Sequence, residues 1–496
     1  MINVGIVGCG RIADLHYLGY KENEEARLYA VCDTDPQRAE TRKSQWNAEK
    51  AYTDYRQMLH DPNVDAVEIL TPHHLHESMV IDAAREKKHI ACQKPVTISL
   101  PSADRMIAQT QNSGVVFRCT ENYVHYPPIV LARKMIDNGD IGDVVNVHIK
   151  FISGPSGGWE TLASTYEWRV KEVAEGRGME SFDHGHHSWS TAWYLGGQVE
   201  RVVAWIDSVD GLLDCPSVIL WKYRNHKRFG FSDLSYCSDL HIPSKYYSND
   251  EWIEVTGSRG IILIRRCTGN IQDGPPVSRF DGHQWKHYDV PSDWAQGFIG
   301  ATHNFIGAIN GREAPFLDGP QSREILRFAL AIHRSATRRR EVYLDEMDHP
   351  FPAWFTWRNK RREKKDFFLA GKTAAFPFFG GGLAKYAPQA KTLTEQLMNQ
   401  FDPSAQRDWT CTIALHLTAD GTVPEQKFGL FIKDGKAELH PGQLPDKPDL
   451  TLRMRAGTWA AILLRKKRLE TALLQGKIHF DGHAEEGLKL RAAFKI

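Results

Sequence analysis

Hydrophobic positions in the first 120 residues alternate between short continuous runs and stripes at helical spacing. The opening run over 2–7 ends in Gly8-Cys9-Gly10, and a helical stripe follows over 11–21. Further strands are predicted at 27–32, 66–70, 89–92 and 115–119, with helices at 36–47 and 55–59 and two more ending near 87 and 113. This alternation is typical of βαβ units and predicts a doubly wound parallel sheet.

From about residue 123 the pattern changes to strand-like segments with few helices between them. Helices are predicted at 129–138, 188–195, 301–309 and 322–337, and strands at 143–152, 199–206, 217–223, 228–234, 235–240, 251–256 and 260–266. The order predicts an α+β domain with a large, mostly antiparallel sheet. Such an open sheet offers one face to the first domain and another to a second subunit, so we expect a homo-oligomer, a dimer or a tetramer.

The remaining chain divides into a connection and a separate unit. Residues 346–384 hold aromatic residues, a basic run at 358–365 and Gly380-Gly381-Gly382. The basic run is short and isolated, which favours a solvated face over a nucleic-acid arm. Residues 385–496 predict a further α+β unit, with strands at 410–417, 426–432 and 449–454 and helices at 456–464, 469–475 and 485–494.

Composition narrows the class of protein. The length of 496 residues suggests about three domains. A net charge of +1 gives no case for attraction to nucleic acid or to a membrane, and no apolar run is long enough to span a bilayer. The eight cysteines form no C-x-x-C pair, so neither a metal site nor a disulfide framework is predicted. Because the first strand starts at Ile2, we expect no signal peptide and a cytoplasmic location.

The first turn has the chemistry of a dinucleotide site. Gly8 permits a tight turn, Gly10 lets a pyrophosphate approach the backbone, and the small Ala13 allows close packing of helix on strand. The helix N-terminus then directs free N–H groups towards the phosphates. Asp33 follows the second strand, 23 positions after Gly10 (33 − 10), where an acid binds the ribose hydroxyls. The alternative is an ordinary surface aspartate.

Chemistry-bearing residues also follow other predicted strands. Gly8, Asp33, Thr71-Pro72 and Lys94 all lie at strand ends, the edge where such sheets bind ligands. Lys94 precedes Pro95, and a partly desolvated lysine there is suited to bind a substrate hydroxyl and move its proton. The alternative is a surface lysine in a turn.

A second cluster occupies residues 180–187. Asp183 and His187 are four positions apart, so on a helical turn they share one face, and a histidine beside a carboxylate is a natural general base. A metal site and purely structural histidines remain as alternatives, although the crowding suits metal ligation poorly. We expect structural roles for His125, His148 and His303.

Together these residues resemble the Gfo/Idh/MocA family of oxidoreductases over about 1–345. The matching motifs are Gly8-Cys9-Gly10-Arg11-Ile12-Ala13, Asp33, Thr71-Pro72-His73-His74-Leu75-His76, Gln93-Lys94-Pro95, and D-x-G-x-H as Asp183, Gly185 and His187. The resemblance implies a Rossmann domain over 1–122 and a substrate and oligomerisation domain over 123–345. It also implies hydride exchange between NAD(P) and a hydroxyl of a sugar, a polyol or a related compound.

The resemblance assigns roles residue by residue. Lys94 becomes the catalytic lysine, His187 the general base, and Asp183 a substrate or relay partner. The implied cofactor-binding residues are Gly8, Gly10, Arg11, Ile12, Asp33, Thr71, Pro72, His74, His76, Gln93 and Lys94. Asp33 favours NAD, while Thr34 and Arg38 keep NADP open.

Two positions depart from the family pattern. Gln93 replaces the glutamate of E-K-P, which removes a carboxylate beside Lys94, and Val124-His125 stands where the family has an arginine.

The last unit, 385–496, resembles a sterol-carrier-protein-like (SCP-2-like) domain, with 346–384 as a linker. The motifs are Asp449-Leu450-Thr451-Leu452-Arg453-Met454, Gly457-Thr458-Trp459 and Gln475-Gly476-Lys477-Ile478. The resemblance implies strands and helices around an apolar tunnel. Such a domain would hold an apolar part of the substrate, such as the aglycone of a glycoside, or mediate assembly.

The sequence therefore predicts an NAD-dependent dehydrogenase that oxidises a secondary hydroxyl of a sugar, cyclitol or glycoside. One alternative is an enzyme with permanently bound NAD that oxidises its substrate transiently for epimerisation or elimination. Another is a hydrophobic-ligand carrier with a vestigial dehydrogenase half.

Overall fold

The computed structural model describes residues 1–348 and 383–494, apart from 160–162, 176, 210, 212, 225–226, 266 and 406–408. The basic run and the three glycines of the predicted connection lie outside the described residues. The chain divides into two compact units, 1–359 and 360–496. Within the first unit, the boundary at 122/123 stays a prediction.

The first unit begins with a six-stranded parallel sheet. Its strands are β1 (Ile2–Val7), β2 (Ala26–Cys32), β3 (Lys50–Tyr52), β4 (Ala66–Ile69), β5 (His89–Gln93) and β6 (Phe117–Thr120), in the order β3-β2-β1-β4-β5-β6. Its helices are α1 (Ala13–Lys21), α2 (Pro36–Gln45), α3 (Tyr55–Leu59), α4 (His76–Arg85) and α5 (Leu100–Ser113). The predicted doubly wound sheet is confirmed. Strand β3 was not predicted, because its three residues form no apolar run.

The strand order of this sheet determines where a ligand can bind. The chain starts in the middle at β1, proceeds outward through β2 and β3, and then crosses to β4 on the other side. Ligands of such sheets bind at this reversal, beyond the carboxyl ends of the strands. Gly8 follows β1 at this point, and Thr71 follows β4 closely.

The rest of the first unit is built on a nine-stranded sheet. Its strands are β7 (Val144–Ser153), β8 (Val199–Ile206), β9 (Ser217–Tyr223), β10 (Phe229–Tyr236), β11 (Asn249–Gly257), β12 (Ile261–Ile264), β13 (Val277–Phe280), β14 (Trp285–Tyr288) and β15 (Val342–Tyr343). The order is β14-β13-β12-β11-β7-β10-β9-β8-β15, and β7 and β10 pair in parallel within an otherwise antiparallel arrangement of the described strands.

Helices and a π-helical turn complete this half of the unit. The helices are α6 (Pro127–Asp137), α7 (Ala163–Ala174), α8 (Gly185–Gly196), α9 (Ala295–Ile309) and α10 (Gly319–Arg338), and the π-helical turn over Met179–His184 leads into α8. The prediction of two strands over 228–240 was wrong, because β10 is one continuous strand. Strands β13, β14 and β15 were not predicted.

The nine-stranded sheet buries one face and leaves the other open. Along β9 the side chains alternate, with Ile219 and Trp221 buried and Val218 and Leu220 exposed. The open face also carries Trp205, which is 67% exposed, and Phe229, which is 54% exposed.

The second unit is a smaller α+β fold. Strands β16 (Cys411–Thr418), β17 (Gln426–Lys433), β18 (Lys436–Pro441), β19 (Leu450–Arg455) and β20 (Ile478–Gly482) form a sheet in the order β18-β17-β16-β19-β20. The helices are α11 (Ala390–Leu397), α12 (Ala456–Leu463), α13 (Leu469–Leu474) and α14 (Ala484–Phe494). Strand β18 was not predicted, because charged and polar residues interrupt its apolar positions.

An apolar core fills the second unit. Its largest buried side chain, Trp459 on α12, donates a hydrogen bond from Nε1 to Thr394 Oγ1 at 2.8 Å. A cavity of about 20 Å³ lies beside Leu415, Leu430 and Leu452, which is room for about one water molecule. In the part of the chain that the structure describes, no helix is both long enough and apolar enough to cross a bilayer.

Candidate active site

The glycine turn after β1 is shaped by its neighbours. Gly8 has φ +96°, and a Cβ there would lie 2.7 Å from the carbonyl oxygen of Leu70, so only glycine fits. A Cβ on Gly10 would meet nothing within 4 Å, so the backbone there faces open space. Ala13 is fully buried where α1 packs on the sheet. An exposed Gly10 ahead of a helix N-terminus fits the pyrophosphate of a dinucleotide.

Asp33 joins this turn to the end of β2. Its Oδ2 accepts a hydrogen bond from the Cys9 backbone N–H at 2.9 Å, and its Oδ1 accepts one from the Asp35 N–H at 3.0 Å. The Arg38 guanidinium also lies 3.1 Å from Oδ1. Asp33 therefore orders the turn at the carboxyl end of β2.

The other predicted cofactor residues of the first turn lie further out. Arg11 is exposed, and its guanidinium lies over the ring of Trp159, 4.5 Å from the centroid. Ile12 is half-buried against the apolar core.

The loop after β4 is held to the end of β5 by His76. Its Nε2 lies 2.8 Å from the Thr71 carbonyl oxygen and its Nδ1 lies 3.0 Å from the Pro95 carbonyl oxygen. Burial lowers the pKa of His76 to about 4 although its contacts with backbone carbonyl oxygens raise it. Pro72 begins the short helical turn over His73–Leu75, and His74 within it is exposed. His76 thus links the loop after β4 to the residues that follow β5.

Lys94 and Asp183 form a buried ion pair. The Lys94 Nζ lies 2.9 Å from both the backbone oxygen and Oδ1 of Asp183. The Arg169 Nε donates to Asp183 Oδ2 at 2.7 Å, and the His73 Nε2 lies 3.4 Å from Oδ1. Burial alone raises the pKa of Asp183, but Lys94, Arg169 and His73 together hold it well below its usual value.

His73 extends this network to α7. Its Nδ1 lies 2.8 Å from Glu172 Oε2, so the ring is flanked by two carboxylates. Burial lowers the pKa of His73, but Asp183 and Glu172 outweigh it and raise the pKa above its ordinary value. The His73–Asp183 contact therefore favours the protonated form of the ring.

The carboxylate partner of His187 is Glu121, not Asp183. The His187 Nδ1 lies 2.6 Å from Glu121 Oε1, and the ring stacks on Tyr123 at 4.3 Å between centroids. The predicted pairing along one helical face is wrong in this respect, because the π-helical turn directs Asp183 to Lys94 instead. Burial and the nearby Lys94 lower the pKa of His187 although Glu121 raises it.

The other two histidines of the cluster face different partners. The His184 Nε2 lies 3.1 Å from Glu251 Oε1, and the His186 Nδ1 lies 2.9 Å from the Phe182 carbonyl oxygen. Over the described ranges, no three or more His, Cys, Asp or Glu side chains are grouped so that they could hold a metal ion.

The structure brings together Lys94, Asp183, Glu121 and His187 from different parts of the first unit. Lys94, Glu121 and His186 line one small cavity. Sequence reasoning missed Glu121, Arg169 and Glu172. Glu121 directly follows β6, so the strand-end rule that singled out Lys94 applied to it as well. The other two lie on α7 and carried no such signal.

Comparison with known proteins identifies the family of each unit. Residues 2–121 match the model of an oxidoreductase family with an NAD-binding Rossmann fold, and 133–344 match the C-terminal alpha/beta domain of that family. Residues 391–495 match the SCP-2 sterol transfer family.

Individual relatives cover the first unit. Myo-inositol 2-dehydrogenase of Thermotoga maritima is 27% identical over 359 residues, which cover 70% of this chain and 99% of the relative. A 2,7-anhydro-N-acetylneuraminate hydratase of Mediterraneibacter gnavus is 25% identical over 384 residues, 70% of this chain and 97% of the relative. The crystal structure of a probable dehydrogenase from Thermotoga maritima has a TM-score of 0.57 and 25% identity, and covers 70% of this chain and 100% of that chain. The chain therefore belongs to the Gfo/Idh/MocA family of NAD-binding oxidoreductases, with an SCP-2 domain following the enzyme domains.

Proposed function

We propose that this protein is an NAD-dependent dehydrogenase that oxidises a secondary hydroxyl of a sugar, cyclitol or glycoside to a ketone. The observation that carries the proposal is the His187 ring held by Glu121 close to the Lys94–Asp183 pair. The relationship to myo-inositol 2-dehydrogenase supports a polyhydroxylated substrate.

Each residue has a defined task in this reaction. Glu121 accepts a hydrogen bond from the Nδ1–H group of His187, which leaves Nε2 as the base for the hydroxyl proton. The Lys94 ammonium donates a hydrogen bond to the same hydroxyl oxygen, and Asp183 holds the ammonium in place. NAD, when bound, supplies the acceptor for the hydride that leaves the carbon. The C–H electron pair and the O–H proton thus have separate destinations, and a C=O bond forms.

The cofactor preference follows from the end of β2. We assign NAD rather than NADP because the Asp33 carboxylate opposes a second phosphate on the ribose, although Arg38 lies beside it. Titration of the purified protein with each dinucleotide tests this assignment. Tighter binding of NADP+ would contradict it.

The test of the proposed function is incubation with NAD+ and a panel of sugars, cyclitols and aryl glycosides, following NADH absorbance and product mass. We expect a ketone product, and a loss of about 10²- to 10⁴-fold in kcat/KM for His187→Ala. Lys94→Ala should lose at least about 10²-fold. The exposed His303 and Lys134 supply matched controls, since His303→Ala and Lys134→Ala should leave the rate unchanged. Silence across the panel with intact NAD binding would contradict a sugar-type substrate.

A second candidate reaction is favoured by the relationship to the 2,7-anhydro-N-acetylneuraminate hydratase. In this alternative NAD stays bound, and transient oxidation permits elimination or epimerisation. The purified protein would then release NAD on denaturation, and product mass would change without accumulation of NADH. Accumulating NADH with a ketone product would exclude it.

We also propose a homo-oligomer formed through the open face of the nine-stranded sheet. Trp205, Leu220 and Phe229 expose apolar surface there, which soluble monomers rarely do in one patch. Light scattering on the full chain should report a dimer or tetramer, and Phe229→Lys should shift it towards monomer. A monomeric wild-type protein would contradict the proposal.

A further inference from the structure

Three side chains form a series of hydrogen bonds that ends at the backbone of Lys94. Glu68 comes from β4, His16 from α1, and Gln93 is the last residue of β5. The His16 Nδ1 lies 2.7 Å from Glu68 Oε1, and the His16 Nε2 lies 2.8 Å from Gln93 Nε2. His16 and Glu68 are each 1% exposed. The last hydrogen bond of the series is donated by the backbone N–H of Lys94 to Gln93 Oε1 at 2.7 Å.

The backbone N–H of Lys94 determines which atoms of Gln93 and His16 carry a proton in these hydrogen bonds. It is a donor that cannot be reversed, so the Gln93 atom facing it must be the oxygen. The amide nitrogen of Gln93 therefore faces His16 Nε2 and donates to it, so Nε2 carries no proton. The single imidazole proton lies on Nδ1 and is donated to Glu68.

We propose that Gln93, His16 and Glu68 form a positioning relay for Lys94, and that it requires an amide at position 93 because its carboxylate lies at position 68. The glutamate of an E-K-P motif at 93 would present an oxygen to the lone pair of His16 Nε2. The imidazole would then have to take up a second proton between two carboxylates. The functional part of this inference rests on the proposed role of Lys94.

Among the residues that the structure describes, the groups around His16 are already engaged by other partners. Helix α9 contributes the edge of the Phe298 ring, 4.9 Å between ring centroids. Burial raises the pKa of Glu68, whereas Tyr20 of α1 and Arg118 of β6 lower it. Arg118 is already engaged by the Ala301 carbonyl oxygen and Asn304 Oδ1.

The Lys94 ammonium is engaged as well, because it is bound to Asp183. Proton uptake by His16 is therefore the expected response to a carboxylate at 93.

The relay leaves Gln93 with atoms for a ligand. Its amide has two N–H groups and its oxygen has two lone pairs. The hydrogen bonds to His16 and to the Lys94 backbone use one of each. The remaining N–H and lone pair belong to a residue at the carboxyl end of β5, beside Lys94, and are available to a bound dinucleotide. Gln93 is thus a positioning residue whose orientation depends on the protonation of His16.

Nitrogen NMR of histidine-labelled, full-length protein tests the relay without any substrate. In the wild type we expect His16, assigned by comparison with His16→Gln, to be protonated at Nδ1 and unprotonated at Nε2 near neutral pH. In Gln93→Glu both nitrogens should be protonated. In the double variant Glu68→Gln, Gln93→Glu the carboxylate has moved to the other side of the ring, so the proton should move to Nε2.

NAD+ affinity provides the second measurement. Gln93→Glu should weaken NAD+ binding by about tenfold, and the double variant should recover most of that loss, because residues in one hydrogen-bond network are not additive. The exposed Gln284 supplies a matched control, since Gln284→Glu adds the same charge far from the ring and should leave affinity and spectrum unchanged.

Several outcomes would overturn the relay. A wild-type His16 protonated at Nε2 would do so even if Gln93→Glu failed to fold. An unchanged spectrum in Gln93→Glu, or strictly additive losses in the double variant, would do so as well. An intact relay in a protein that turns over no member of the substrate panel would refute the proposed function alone.

Discussion

The two compact units bury different kinds of side chain. In the unit over 1–359, Asp183, Glu121, Glu68 and Arg118 all lie inside the protein. In the unit over 360–496, the buried side chains are mainly apolar, with Trp459 as the largest. Burying a charge costs several kcal/mol unless partners compensate it, whereas burying apolar surface is favourable in itself.

The difference is consistent with the proposed chemistry of the first unit. Each charged group of the Lys94 network has a partner at hydrogen-bond distance, and the pKa of Asp183 is displaced far below its ordinary value. Buried, paired groups with displaced pKa values are typical of functional sites. The core of the second unit is apolar, and the cavity beside Leu415 has room for about one water molecule.

Removing the central charge of the network should strongly destabilise the first unit. Asp183→Asn leaves Lys94 and Arg169 without their shared carboxylate, so we expect a loss of about 3–5 kcal/mol in the free energy of unfolding of the first unit. Denaturant unfolding followed by circular dichroism measures it. Asp207→Asn, at an aspartate on a loop of the same unit, is the control.

The same variant makes a prediction about pH. The folded pKa of Asp183 lies below its unfolded value, so its contribution is fully present above the unfolded pKa and declines as pH falls towards the folded pKa. The stability difference between wild type and Asp183→Asn should therefore narrow below about pH 4. A difference that stays constant on acidification would mean that the aspartate acts through shape and not through charge.

The core of the second unit provides the opposite test. Trp459→Ala should cost that unit about 3–5 kcal/mol, because it removes a large, fully buried side chain and its hydrogen bond to Thr394. Differential scanning calorimetry should show the loss in one transition, with NAD binding unchanged. The partly exposed Trp285 on β14 is the matched control, since Trp285→Ala should leave that transition in place.

This variant also separates the enzyme from the carrier hypothesis. If Trp459→Ala abolished the biological activity of the protein while Lys94→Ala and His187→Ala did not, the second unit would carry that activity. The division drawn between the two units would then be wrong.

The strand pattern predicted most of the fold, for a physical reason. Buried parallel strands such as β1 and β4 are continuous apolar runs, and the residues after them lie at one sheet edge. This placed Gly8, Asp33 and Lys94 together from sequence alone. Short edge strands such as β3 and β15 bury few side chains and leave little pattern.

The pairing of charges was less predictable, because it depends on tertiary contacts. Asp183 and His187 are four positions apart, and helical spacing predicted that they face each other. The π-helical turn changes the direction of Asp183, and His187 pairs with Glu121, 66 positions earlier. Local spacing describes neighbours on one helix, whereas this pair joins the end of β6 to α8.

The smallest expected effect concerns the Glu121–His187 pair itself. Glu121 raises the pKa of His187 against burial and Lys94, which lower it, so removing the charge should lower the pKa further. Glu121→Gln keeps an oxygen that can accept the Nδ1 proton and should move the acid limb of the kcat/KM profile to lower pH by about one unit. Glu254→Gln, on the open face of the nine-stranded sheet, should not move it. A shift to higher pH would mean that His187 does not titrate as the base, and that the acid limb belongs to another group of the charged network. An unchanged profile would mean that the carboxylate orients the ring without setting its basicity. The buried groups of the first unit would then have a structural role, as those of the second unit do.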